Sequence, residues 1–68
     1  KNVYHFARSS VVADRNIAKG QKIKEEDIWA RRPGNGEIAG YNYSKVLGKT
    51  AKVDIPKNRQ LCWSDLSQ

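Results

Sequence analysis

The sequence predicts a small, mostly-β domain made of two related halves, with short strands, single-turn helices and an internal pseudo-twofold repeat. Three observations carry this. Residues 13–28 and 51–66 repeat one phrase at a constant offset of 38 positions: Ala13 matches Ala51, Ile17 matches Ile55, Lys19 matches Lys57 and Asp27 matches Asp65, while Ile23 answers Leu61 and Ile28 answers Leu66. Gly20 answers Asn58, and these residue types take positive φ most readily, so both copies are expected to turn left-handed at the same point. At 68 residues the chain has room for one domain, and two copies are too few for a solenoid.

The elements follow in order. Residues 10–15 alternate weakly and predict a strand, residues 18–20 a turn, and residues 21–24 a second short strand. Glu25, Glu26 and Asp27 place carboxylates where a helical first turn favours them. Residues 28–32 are expected to be extended, because Pro33 pushes the residue before it out of the α region. Gly34, Asn35 and Gly36 exclude regular structure there. Asn42 is a candidate cap for a short helix over residues 43–47, with Gly48 as its left-handed terminator. The second copy closes the chain.

A chain of this length buries only about 60% of the surface it exposes when unfolded, so the core must be small. Its candidates are Val11, Val12, Ile17, Ile23, Ile28, Val46, Leu47, Val53, Ile55, Leu61 and Leu66, with Trp29, Tyr43 and Trp63 as larger fillers. The single Cys62 excludes an internal disulfide and reads as a half-buried filler. The only histidine is His5, so no Cys/His cluster has zinc spacing and no metal site is expected. No apolar run reaches membrane-spanning length and no signal-peptide pattern is present, which predicts a cytoplasmic protein without a membrane partner. The start at Lys1, without an initiator methionine, suggests a linker remnant over residues 1–8 and a domain over residues 9–68.

The net charge of +6 raises nucleic-acid binding, but Lys and Arg fall singly among Glu25, Glu26, Asp27 and Asp54, and only Arg31-Arg32 is doubled. Solvated surface charge is the favoured reading, with no nucleic acid as partner. Residues 31–36 lie between the two copies, outside the repeat. A proline that fixes the backbone beside an arginine, followed by two glycines that permit close approach to another molecule, is a means of aiming a guanidinium outward. That group offers five donors in a rigid fork and stays charged. A plain surface turn with a solvated arginine is the competing reading.

Ser10-Val11-Val12-Ala13, Ile17-Ala18-Lys19-Gly20-Gln21-Lys22-Ile23, Glu26-Asp27-Ile28, Arg32-Pro33-Gly34 and Leu47-Gly48-Lys49 together make the chain resemble the SAF, or antifreeze-like, domain that ends bacterial sialic acid synthases and the related legionaminic and pseudaminic acid synthases. The resemblance implies a β-clip fold. It further implies a preceding (β/α)8 barrel that condenses phosphoenolpyruvate with an N-acetylated hexosamine such as N-acetylmannosamine, using a divalent metal (Mg or Mn) held by the barrel. This domain itself would bind no cofactor and carry no catalytic residue. In a domain-swapped homodimer it would cover the barrel mouth of the partner subunit. Carried over, the substrate-binding residue is Arg32, on a loop supported by Pro33, Gly34, Asn35 and Gly36, with Arg31 as a solvent-facing neighbour. Two departures stand out. Lys24 and Cys62 occupy positions where such domains often carry a Thr or Ser cap, which puts the first-turn capping in doubt, and residues 37–43 give no decodable substrate preference.

Two rivals follow from the same resemblance. Ice binding needs a flat, mildly apolar plane, and Lys22, Lys24, Glu25 and Glu26 would disrupt it, so none is expected. A non-catalytic assembly module that recognises an anionic polymer or a partner protein is the stronger alternative. The Arg32-Pro33-Gly34 loop argues against it.

Overall fold

The computed structural model describes residues 8–67. The linker expected over residues 1–8 lies outside them except for Arg8, which is exposed with φ 56°.

The duplication is visible in the backbone hydrogen bonds. Ile17 and Ile55, equivalent residues of the two copies, bond to each other, each N–H donating to the other's carbonyl at 2.8 Å. A reciprocal antiparallel pair between equivalent residues puts a local twofold between them. Several other bonds come in partners related by that twofold. Gly20 N–H donates to Ala51 O and Asn58 N–H to Ala13 O, both at 2.8 Å; Ile23 N–H donates to Lys49 O and Leu61 N–H to Val11 O, at 2.8 and 3.0 Å. Gly20 and Asn58 have φ of 89° and 77°, so both copies make the left-handed turn that the residue types favour.

Strand β1 (Ser10–Ala13) pairs antiparallel with β2 (Ile28–Arg31), Ala13 opposite Ile28. Helix α1 (Tyr43–Val46) follows a 3-10 turn over Gly40–Asn42. Strands β3 (Thr50–Ala51) and β4 (Leu66–Ser67) repeat the first pairing, Ala51 opposite Leu66. A 3-10 turn precedes each closing strand, Glu25–Asp27 in one copy and Trp63–Asp65 in the other. The domain is thus small and mostly β, with one short α-helix.

Several local expectations are corrected. β1 ends at Ala13 and all four of its residues are buried, without alternation. The reason is that Val11 and Ala13 pack in the core, while the loop at residues 33–36 lies over Ser10 on the other face. Asn42 makes no side-chain cap, because the chain enters α1 from a 3-10 turn and Asn42 already lies inside it. Gly48 does adopt φ 87°. The doubtful first-turn caps at Lys24 and Cys62 are supplied from the other direction. The carboxylates of Asp27 and Asp65 reach back to accept the Lys24 and Cys62 N–H groups at 2.9 and 3.0 Å, the reach-back half of a capping box.

The core gathers Val11, Ala13, Ile17, Ile23, Ile28, Ile38, Val46, Ala51, Ile55, Leu61 and Leu66, with Tyr43 and Leu47 packed against it. Ile38 was not among the sequence candidates. Two that were, Val53 and Trp63, are 44% and 38% exposed. Trp29 stacks edge-on against Tyr43, ring centroids 5.6 Å apart.

Candidate functional site

Residues 31–36 leave β2 and cross the start of β1. Arg31 is more than a solvent-facing neighbour. Its guanidinium pairs with Asp14 and donates a long hydrogen bond, 3.5 Å, to Asn58 Oδ1. Arg32 is exposed, and its guanidinium has no hydrogen bond or ion pair among the described residues. The Arg32–Pro33 peptide bond is cis.

The rest of the loop is fastened to its own domain. Ser10 Oγ donates to the Pro33 carbonyl at 3.0 Å, and Gln60 Nε2 donates to Asn35 Oδ1 at 2.7 Å and to Ser10 Oγ at 3.4 Å. This corrects the reading of the two glycines. A Cβ on Gly34 would stand 2.6 Å from the Arg8 carbonyl carbon, and one on Gly36 would stand 2.9 Å from Ser10 Cβ. At both positions the domain's own chain passes beneath the loop, which by itself accounts for glycine. Residues 37–43 are tied down as well: Glu37 accepts the Trp63 N–H at 3.0 Å, and Gly40 N–H donates to Ser9 O at 2.9 Å.

Arg32 borders an open groove of about 670 Å³ whose walls also include Arg31, Pro33, Asn58, Arg59 and Gln60. Three guanidiniums meet here, and two are committed. Arg59 forks onto Asp65, Nε to Oδ2 at 3.1 Å and Nη2 to Oδ1 at 3.2 Å. The hydrogen bond and then the charge of Asp65 raise the Arg59 pKa further. Burial pushes the Asp65 carboxyl up, but the Arg59 hydrogen bond, the Cys62 N–H and the Arg59 charge together outweigh it and hold the group below its ordinary value. Arg31 is paired with Asp14. Of the three, Arg32 is the one whose guanidinium has no partner among the described residues.

The sequence reading singled out Arg32 and its loop but missed the residues that hold them. A signal for these was present. Arg59 and Gln60 correspond across the repeat to Gln21 and Lys22, and such chemical mismatches at matched backbone positions are changes that the scaffold does not dictate. Among the described residues no three His, Cys, Asp or Glu side chains gather as a metal site, and no helix is long and apolar enough to cross a membrane.

The chain is a twice-repeated, mostly-β scaffold that carries a fastened, arginine-bearing loop. The SAF domain family model matches residues 8–67, and the chain belongs to that family. It is 38% identical over 66 residues to an uncharacterized protein of Methanocaldococcus jannaschii, covering 97% of this chain and 19% of that protein. It is 39% identical over 51 residues to the N,N'-diacetyllegionaminic acid synthase of Campylobacter jejuni, covering 75% of this chain and 15% of the synthase. Two solved structures superpose closely. The flagellar protein FlgA of Thermotoga maritima gives a TM-score of 0.78 at 31% identity, over 90% of this chain and 25% of that one. The spore coat polysaccharide biosynthesis protein SpsE of Bacillus subtilis gives 0.77 at 25% identity, over 97% and 19%. The chain therefore spans less than a fifth of the curated relatives it matches.

Proposed function

We propose that this domain is the substrate-capping part of a nonulosonate synthase, and that it delivers Arg32 to an N-acetylated hexosamine bound in the barrel of a partner subunit. The observation that carries the reading is the contrast within the groove: Arg31 and Arg59 are paired with Asp14 and Asp65, while Arg32 has no partner among the described residues. The synthase relatives make a sugar with acylated amines a reasonable target. Closing the domain over a barrel mouth would set charge-assisted donors against the acetamido oxygen and exclude water from the reacting carbons. The role is positioning, without proton transfer. The barrel would hold the divalent metal, and the assembly would work in the cytoplasm as a domain-swapped homodimer.

A hydrogen bond to a charged group contributes about 1.5 to 3 kcal/mol. Arg32→Ala in the whole protein is therefore expected to lower kcat/KM for the hexosamine by roughly one to two orders of magnitude. An unchanged kcat/KM would refute the assignment.

The likeness to the FlgA domain favours a second reading, a non-catalytic module for assembly. Salt-dependent binding of the domain to dextran sulfate, undiminished in Arg32→Ala, would favour that alternative.

A further inference from the structure

Because the two copies share a backbone, their side-chain differences separate what the scaffold needs from what it does not. Val12 bridges to Gln60 and Thr50 bridges to Lys22, at twofold-related positions. Lys22 is exposed, so the scaffold tolerates a solvated side chain at that place. Gln60 is half-buried instead, with Nε2 on Asn35 and Ser10. Ser10 passes the connection on to the Pro33 carbonyl.

We propose that Gln60 is a positioning residue for Arg32, acting as a latch that holds the loop in the shape from which the guanidinium is presented. The proposal rests on the capping function above. Arg32 is bracketed on both sides. On one side the Arg31 side chain is anchored on Asp14 and Asn58; on the other, Pro33 and Asn35 are anchored through Ser10 and Gln60. The glycine at position 36 lets the loop settle directly on these two side chains, since an added Cβ would come within 2.9 Å of Ser10 Oγ and 3.2 Å of Gln60 Cβ. A loop ordered before the sugar arrives spares the ordering cost at binding, and that saving appears in kcat/KM.

The test uses Gln60→Met, which keeps the length of the side chain and removes its bonds. In the whole protein, assayed with phosphoenolpyruvate and N-acetylmannosamine or a diacetamido hexose, Gln60→Met is expected to lower kcat/KM about three- to tenfold. In the Arg32→Ala background it is expected to cost nothing further, because the latch acts through that side chain. In the 68-residue chain, ¹⁵N relaxation is expected to show Gly34, Asn35 and Gly36 becoming mobile while the core amides do not change. Loop amides as rigid in Gln60→Met as in the wild type would overturn the latch. A loosened loop with unchanged kcat/KM, where Arg32→Ala alone is costly, would overturn the positioning role. A neutral Arg32→Ala would instead sink the capping function and with it this proposal, leaving the relaxation result as a fact about the loop only.

Discussion

Single residues decide how this domain presents charge. The Arg32-Pro33-Gly34 loop was visible in the sequence as a local pattern outside the repeat, and the family resemblance singled out Arg32 within it. The partners of Arg31 and of the glycines were not visible there, because Asp14, Arg8 and Ser10 lie far along the chain and only the fold brings them near. The glycines make a clear contrast. A Cβ at Gly34 meets fixed backbone at 2.6 Å, whereas one at Gly20 meets nothing within 4 Å and strains only a φ of 89°. Gly34→Ala is expected to destabilise the domain by about 1 to 3 kcal/mol through displaced backbone and to disturb the Arg32 loop. Gly20→Ala is expected to cost about 1 to 2 kcal/mol and to leave that loop intact. Urea denaturation with loop-amide chemical shifts checks both. Equal loop perturbation in the two variants would contradict the packing reading.

At the scale of elements, the two 3-10 turns share one device, a buried aspartate at the third position reaching back to the N–H before the turn. The sequence displayed the acids but no Ser or Thr cap, so the turn was legible and its fastening was not. Asp65 has the added Arg59 fork, and its folded-state pKa lies below the ordinary carboxylate value. The linked stability is therefore present above the unfolded-state pKa, about 3.9, and is lost as pH falls through the lower folded value. Asp65→Asn is expected to lower stability near neutral pH by about 1 to 2 kcal/mol and to flatten the decline on acidification below about pH 4. Denaturation midpoints across pH measure this. An acid limb as steep in the variant as in the wild type would remove Asp65 as its source.

Over the whole molecule, the duplication was the most legible feature, since equivalent aliphatic residues had to meet around one core and Ile17 does pair with Ile55. The misjudged core positions have physical reasons. Ile38 lies outside the repeat and becomes buried where its carbonyl accepts the Val11 N–H along the edge of β1 opposite β2. Trp63 was taken as filler from its size, yet it sits in a surface turn whose N–H is held by Glu37. The scaffold thus fastens the loop to its own domain at Pro33 and Asn35, while the capping reading sends Arg32 to a second polypeptide. The most direct measurement is a crystal structure of the whole protein with the N-acetylated hexosamine bound. The Arg32 guanidinium is expected within about 3 Å of the acetamido oxygen of a sugar held by the partner subunit; an occupied site with Arg32 left in solvent or turned onto its own domain would contradict the capping function.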